Sequence, residues 1–199
     1  MRKKVHILTL LSAAVLLLNG CSSGFSPAMT GVQITKKGTI TQVIKENFQE
    51  ANYSEQELTA QISNAVDRYN TEKGDTRIKA GKLAVSGGVA DLKMIYETSS
   101  DYSRFNRISF YAGDITGAIQ EGYAFDGSFY PVRSGVVNDQ NPVWGSSLMS
   151  GTNYRTVVFE EAMLVEVPGE ICYVSDNLSV TGKSTAVAKE AGIAYILYQ

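Results

Sequence analysis

Apolar and polar residues alternate most regularly along one stretch in the middle of the chain. Ala90, Leu92, Met94 and Tyr96 fall on one face of an extended chain, and charged residues such as Asp91 fall on the other. A period of two is the pattern of a β-strand that has one face buried and one face in water. This stretch is therefore predicted to be a half-buried antiparallel strand.

Three turn signals predict how further strands pair. The β-branched runs 32–34 and 39–44 flank Lys36-Lys37-Gly38 and predict a first β-hairpin. Gly87-Gly88 is a two-residue hairpin signal that precedes the alternating strand. The parity of apolar residues changes across Gly81, so a β-bulge is predicted there.

Residues 55–71 have the spacing of an amphipathic helix. Ser54, with Glu57 three residues later, fits a capping box, and Gly74 is expected to end the helix. The apolar positions that set the spacing are Leu58, Ile62, Ala65, Val66 and Tyr69.

Shorter elements account for most of the remaining chain. They are a helical turn or two within 99–105, a strand at 108–111, a short helix from Asp114 to Gln120, strands from 154 onward, a type II turn at Pro168-Gly169, a strand at 171–174, a turn at Asp176-Asn177, a strand at 184–189, and a final strand at 193–198 with apolar residues on both faces. Together the elements predict an α+β fold, mostly antiparallel β-sheet with one main amphipathic helix (about 55–71) and short extra helices.

The segment 122–154 has no clear period apart from a hairpin signal at Asp126-Gly127. A long irregular segment inside a compact domain is often functional. Tyr123, Tyr130 and Trp144 in this segment are the candidate binding surface, because aromatic side chains stack on sugars and anchor protein interfaces.

Two further aromatic residues of the segment favour a different interpretation. Phe125 and Phe129 are expected to form a small core beneath a loop rather than a surface. For Trp144 both interpretations stay open.

The N-terminus has the composition of an export signal. Arg2, Lys3 and Lys4 precede a short apolar run, which is too short to span a bilayer. Leu18-Asn19-Gly20-Cys21 follows and resembles the lipobox of bacterial lipoproteins, although Asn19 departs from the usual Ala, Ser or Thr.

That resemblance implies an address for the protein. It implies cleavage between Gly20 and Cys21 and attachment of diacylglycerol, whose acyl chains are fatty acids such as palmitate, to the Cys21 thiol. The whole chain loosely resembles small uncharacterised lipoproteins of anaerobic Firmicutes, which implies a domain on the outer face of one membrane. The expected organisation is a signal peptide at 1–20, a flexible tether at 21–30 and a single α+β domain at 31–199.

Charge and residue content limit the chemistry. Residues 1–20 hold three of the 18 basic residues and none of the 20 acidic ones, so the remaining chain has 15 against 20 and a net charge of −5. From this net charge, neither nucleic acid nor anionic lipid is expected as a partner. The only His is His6, in the signal, so no imidazole is left for catalysis or metal binding, and no cofactor or metal is expected.

Other candidate chemistry is weak. Thr181-Gly182-Lys183-Ser184-Thr185 resembles the end of a P-loop, but Asn177 stands where the first Gly is needed, so a turn is predicted and no nucleotide is expected. Cys172 has no His partner and is predicted to be a small core residue. Carboxylates that could pair for glycoside cleavage are Asp101, Asp114, Asp126, Asp139, Glu160 and Glu161.

The favoured hypothesis is a non-catalytic, membrane-anchored binding module for an envelope protein or a glycan. Two alternatives stay open. One is a glycan hydrolase that uses carboxylates alone, and the other is a passive structural subunit of an envelope assembly.

Overall fold

The structure is a computed structural model that describes residues 24–49, 54–149 and 153–199. The strands are β1 (Gly31–Ile34), β2 (Ile40–Asn47), β3 (Ile78–Ala80), β4 (Ala84–Ser86), β5 (Val89–Tyr96), β6 (Phe110–Asp114), β7 (Ser128–Arg133), β8 (Val136–Val137), β9 (Val143–Trp144), β10 (Arg155–Phe159), β11 (Leu164–Glu166), β12 (Ile171–Ser175), β13 (Leu178–Val180), β14 (Thr185–Ala188) and β15 (Ala194–Tyr198). The helices are α1 (Glu55–Lys73), α2 (Ser99–Asn106), α3 (Ile115–Gln120) and α4 (Gly145–Leu148). The described residues are mainly β, and the predicted α+β class with mostly antiparallel sheet is confirmed.

The first sheet has the order β13-β14-β11-β1-β2-β5-β3, and β4 also pairs with β5. β1 and β2 form the predicted hairpin, and β5 carries the predicted alternation of buried and half-exposed residues. β1 pairs in parallel with β11, Val32 lying opposite Val165, whereas the other pairs of this sheet are antiparallel.

The bulge and the two-glycine turn form as predicted. Ala80 lies opposite Met94 and Ala84 opposite Asp91, so three residues of one strand face two residues of β5. The N–H of Gly81 donates to the carbonyl of Lys93 in this bulge. Gly87 and Gly88 have φ angles of 58° and 77°, as a type I′ hairpin turn requires.

The second sheet has the order β6-β10-β15-β12-β7-β8, and β9 also pairs with β7. All its pairs are antiparallel. The central strand β15 is buried along its whole length, in agreement with the prediction for the last apolar run.

The two sheets enclose the larger core, and the second sheet is covered on its other face as well. Alternate residues of β10 show this arrangement: Val157 and Phe159 lie in the core between the sheets, and Val158 lies in the second core. The second core also contains Ile115 of α3 and Leu148 of α4. Both faces of the second sheet are therefore removed from water, which requires the continuous apolar sequence of β15.

α1 begins and ends where its sequence predicts. The Ser54 hydroxyl accepts a hydrogen bond from the N–H of Glu57, and Gly74 adopts the left-handed conformation at the C-cap. The Asn70 side chain attaches the helix to β3: its Oδ1 accepts from the N–H groups of Arg77 and Ile78, and its Nδ2 donates to the carbonyl of Ile78.

Two local predictions were wrong. The chain forms no hairpin at Asp126-Gly127, because no strand lies between α3 and β7. The tight turn lies between β7 and β8 instead, at Ser134 and Gly135, whose φ angles of 49° and 80° suit a type I′ turn. Gly169 lacks the positive φ of a type II turn, and a Cβ there would meet the backbone of Gln199. Neighbouring backbone, rather than a turn type, explains the glycine at this position.

The signal peptide, its cleavage site and Cys21 lie outside the described residues. Of the predicted tether, residues 24–30 are described: Phe25 is buried, and the Thr30 hydroxyl accepts from the N–H of Lys45 and donates to its carbonyl. Within the described ranges, no helix combines the length and the apolar composition that a membrane crossing requires.

Candidate functional site

Two neighbouring clefts lie at the end of the second sheet where β12 ends. The larger has a volume of 420 Å³ and the smaller 310 Å³, and Ser175 and Asp176 line both of them. The larger cleft is lined by Gly122, Tyr123, Ala124, Asp126, Gly127, Ser128, Phe129, Ser175, Asp176, Ile193 and Tyr195. The smaller cleft is lined by Tyr130, Val137, Asp139, Val174, Ser175, Asp176 and Leu178.

Hydrogen bonds hold the walls of the larger cleft in place. The Tyr195 hydroxyl donates to the carbonyl of Ala124 at 2.7 Å and attaches the segment before β7 to β15. The Ser175 hydroxyl accepts from the N–H of Tyr195 at 2.9 Å and donates to Oδ1 of Asn177. Asn177 in turn donates to the carbonyl of Ile193. The loop 122–127, which forms one wall of the cleft, is therefore attached to β15.

The clefts carry negative charge. Asp126 and Asp176 line the larger cleft, and Asp139 and Asp176 line the smaller one. None of the described residues that line either cleft is Lys or Arg. Burial raises the pKa of the Tyr195 hydroxyl, and the charge of Asp126 raises it further. Burial likewise raises the pKa of Tyr123, with a further contribution from Glu160.

The structure brings the three candidate binding residues to this end of the sheet. Tyr123 lines the larger cleft and Tyr130 the smaller one. Trp144 lines neither of these two clefts, but it lies directly opposite Ser128 of the larger cleft in the β7–β9 pair. Trp144 is 66% exposed, whereas Trp residues are on average highly buried.

The other aromatic residues of the segment are interior. Phe125 and Phe129 are 4% and 2% exposed, and their rings stack with centroids 5.9 Å apart. Both also meet the ring of Tyr195, at 5.1 and 5.6 Å. The packing interpretation is confirmed for these two residues.

The remaining candidate carboxylates have separate surroundings. Asp101 is buried in an ion pair with Arg77, and Asp114 accepts from the N–H of Gly117 as the N-cap of α3. Glu160 and Glu161 are exposed beyond the end of β10. Only Asp126 and Asp139 among the predicted carboxylates line the clefts.

Cys172 is not the core residue that its apolar neighbours predicted. The pairing of β12 with β15 shifts register between Ile171 and Tyr173, so Cys172 is the extra residue of a bulge and is partly exposed. Burial of its thiol and the charge of Glu170 raise its pKa, which disfavours the reactive thiolate.

The segment that resembles a P-loop is a turn, as predicted. Residues 181–184 connect β13 to β14, and the N–H of Thr181 donates to the carbonyl of Thr185. In the part of the chain that the structure describes, no group of three His, Cys, Asp or Glu side chains is placed to hold a metal ion.

Comparison with known proteins gave no relative. The chain matches no protein-family model, no curated protein sequence and no solved structure. The site must therefore be interpreted from its own geometry.

Asp176 is the residue of this site that the sequence did not single out. Its position was predicted only as a turn, because Asp-Asn is a common turn dipeptide. The useful signal is its position two residues after the predicted strand 171–174, because loop residues at strand ends are held in place by the sheet. Tyr195 likewise does not stand apart in the sequence, because the apolar run 193–198 predicts only a buried strand.

Proposed function

We propose that this protein is a lipid-anchored extracytoplasmic module that binds a glycan in the two clefts on either side of Ser175 and Asp176. The observation that carries the proposal is the composition of these clefts, which combine aromatic side chains with two carboxylates each and no lining cation. Aromatic faces pack against the C–H faces of sugar rings, and carboxylates accept hydrogen bonds from sugar hydroxyls.

The dimensions agree with a short oligosaccharide. Volumes of 420 and 310 Å³ fall within the usual range for small-ligand sites. A chain of sugars that crosses Asp176 would contact Tyr123 on one side and Tyr130 on the other. The exposed indole of Trp144, opposite Ser128, would extend this surface.

Membrane attachment is part of the same proposal and rests on the lipobox. Two acyl chains hold a protein firmly, because each buried CH₂ contributes about 0.8 kcal/mol. Cells labelled with palmitate are expected to incorporate label into the wild-type chain and none into Cys21→Ala. Label that survives in Cys21→Ala would contradict the anchor.

Crosslinking in cells tests what the surface binds. A photoreactive amino acid at position 144 is expected to give glycan adducts when the envelope is irradiated and the protein is recovered for mass spectrometry. A discrete protein adduct would replace the glycan with an envelope protein as partner. No adduct of either kind would favour the passive structural subunit.

A titration with soluble oligosaccharides tests the clefts directly. Tyr123→Ala and Tyr130→Ala are each expected to weaken binding at least fivefold, since truncating an aromatic side chain that anchors a ligand costs more than about 1 kcal/mol. Asp176→Asn is also expected to weaken binding, because Asp176 lines both clefts, and Asp75→Asn, which changes an exposed carboxylate outside them, is its matched control. Equal affinity of all these variants would locate binding elsewhere.

A carboxylate-dependent glycan hydrolase is the second candidate, and one observation favours it. Asp126 and Asp176 line the same cleft, as a pair of catalytic carboxyl groups would. In that case the wild type releases reducing ends from a bound oligosaccharide, and Asp126→Asn binds the same oligosaccharide without cleaving it. Binding without release of reducing ends in the wild type would exclude this candidate.

A further inference from the structure

A second groove lies between α1 and α2. It has a volume of 650 Å³, the largest of the clefts described here, and it is lined by Ala65, Arg68, Tyr69, Glu72, Lys73, Arg104, Phe105 and Arg107. Half of these residues are cationic and one is anionic. The groove therefore carries positive charge in a chain whose formal net charge is −2.

None of the cations of this groove is held in an ion pair with another described residue, although Glu72 also lines it. Arg68, Lys73, Arg104 and Arg107 are exposed, and none of them forms an ion pair within the described residues. The nearest buried carboxylate, Asp101, is already paired with Arg77 at 2.8 Å. Because Arg77 compensates the charge of Asp101, this carboxylate lowers the positive potential of the groove little.

The floor of the groove is aromatic and fixed. The rings of Tyr69 and Phe105 meet edge to face with centroids 5.7 Å apart, which joins the two helices. The Tyr69 hydroxyl donates to Oδ1 of Asp101, and Lys73 Nζ lies 5.3 Å from the centre of the Tyr69 ring. The cations thus project from a packed surface whose shape is set without a ligand.

Arg107 has an unfavourable backbone conformation. It is the C-cap of α2 with φ 57° and ψ 45°, in the left-handed region where glycine is the usual residue. An arginine at this position costs stability that a glycine would not. A long cationic side chain at this cap adds a charge to the groove despite that cost.

We propose that the groove between α1 and α2 binds an oligoanion that carries phosphate groups. Guanidinium groups bind phosphate oxygens through paired hydrogen bonds, and three of the four cations are arginines. Several cations around one groove match several negative charges on one ligand. The phosphate can belong to lipid headgroups or to a soluble molecule, and the groove recognises the same chemistry in both.

This site is separate from the clefts beside Asp176 and opposite to them in charge. None of the residues that line the groove lines either cleft. The binding of an anion here and of a neutral glycan there can therefore be measured independently, and the failure of one proposal leaves the other intact.

The experiment uses the full chain with Cys21→Ser, so that no acyl chain contributes to binding. Residues 1–20 are the same in every variant, so their own affinity for vesicles cancels when the groove variants are compared with the control variant. Calorimetric titration with tripolyphosphate tests a soluble phosphate, and co-flotation with vesicles that contain phosphatidylglycerol tests a headgroup, with pure phosphatidylcholine vesicles as the neutral reference. We expect binding to at least one of the two phosphate probes, weakened at least tenfold when NaCl is raised from about 50 to about 500 mM.

Matched variants locate the binding. Arg68→Gln with Arg104→Gln is expected to weaken it at least tenfold. Lys82→Gln with Lys189→Gln, which changes the net charge equally at exposed positions outside the groove, is expected to change it less than twofold. Arg107→Gly removes one cation without adding backbone strain, so it reports on charge even if the double variant folds poorly.

The outcomes separate the sources and can overturn the proposal. If the groove variants lose only tripolyphosphate binding, the ligand is a soluble phosphate. If they lose only vesicle binding, the ligand is a lipid headgroup. The proposal is wrong if neither probe binds, or if the groove variants and the control variant bind equally well.

Discussion

Arg77 and Asp101 form an ion pair in which Nη2 and Oδ2 are 2.8 Å apart. Arg77 precedes β3, and Asp101 lies in the first turn of α2. The same carboxylate accepts hydrogen bonds from the hydroxyls of Thr98 and Tyr69, the latter from α1. The single carboxylate of Asp101 therefore joins α1, α2 and the start of β3.

The first prediction concerns the pH dependence of this junction. Burial opposes the charged form of Asp101, but hydrogen bonds from Thr98, Arg77 and Tyr69 outweigh it and hold its pKa below the usual value. A carboxyl with a lowered folded-state pKa contributes stability above its unfolded pKa of about 3.9, and that contribution is lost as the pH falls through the folded-state pKa. Asp101→Asn should therefore lower the free energy of unfolding by about 1–3 kcal/mol at pH 7.

Urea unfolding between pH 3 and pH 7 measures this effect. The difference between wild type and Asp101→Asn should shrink toward the acid end of the range. Asp67→Asn, an exposed carboxylate on α1, should change stability by less than about 0.5 kcal/mol throughout. A constant difference for Asp101→Asn at every pH would show that the charge of this carboxyl is not the stabilising feature.

The second prediction concerns the close approach of α4 to the segment before β7. A Cβ on Gly145 would lie 2.5 Å from the carbonyl oxygen of Phe125 and 2.7 Å from Cε2 of Phe129. Gly145→Ala should therefore push this wall of the larger cleft outward and cost about 1–3 kcal/mol. Gly127→Ala, whose Cβ would meet nothing within 4 Å, is the matched control for stability and should change it little; Gly127 lines the cleft, so this variant is not a control for affinity.

Thermal unfolding and oligosaccharide titration check this prediction together. Gly145→Ala should lower both Tm and the affinity of the cleft, and Gly127→Ala should lower Tm little. If both glycine variants unfold at the wild-type temperature, the contact of Gly145 with Phe125 is not close in solution.

Local pairings were predictable from the sequence because their signals lie within a few residues of each other. The β1–β2 hairpin, the Gly87-Gly88 turn and the cap of α1 are examples. The parallel pairing of Val32 with Val165 was not predictable, because no local signal connects residues so far apart. Asp126-Gly127 misled for a related reason: the carbonyl of Gly127 accepts from the distant N–H of Gly145 and does not close a hairpin.

The candidate sites show the same difference between local signals, which can be predicted, and long-range contacts, which cannot. Tyr123 and Tyr130 occur in one irregular segment of the sequence, but Asp176 reaches their clefts only through the pairing of β12 with β7. The phosphate groove requires α1 and α2 to meet, as they do where the ring of Tyr69 contacts that of Phe105. Helical spacing places Arg68 and Glu72 on one face of α1, yet nothing in the sequence states that Arg104 faces them.

The third prediction separates the aromatic residues of the segment by their burial. Phe129→Ala should lower the free energy of unfolding by about 3–5 kcal/mol, because its ring is 2% exposed and packs against Phe125 and Tyr195. Trp144→Ala should change it by less than about 0.5 kcal/mol, because the indole is 66% exposed. Urea unfolding of the two variants makes the comparison, and a large loss for Trp144→Ala would mean that the indole packs inside.

The last prediction concerns the strain at the C-cap of α2. Arg107 has a φ of 57°, which costs a residue with a Cβ about 1 kcal/mol relative to glycine. Arg107→Gly should therefore be more stable than Arg107→Ala by about 1 kcal/mol, although both remove the same charge. The two variants should lose phosphate binding equally, because affinity depends on the cation and stability on the backbone. Denaturant unfolding and tripolyphosphate titration measure the two quantities. If Arg107→Ala were as stable as Arg107→Gly, the left-handed backbone at this cap would not lower stability. The argument that Arg107 adds a charge to the groove at a cost in stability would then fail.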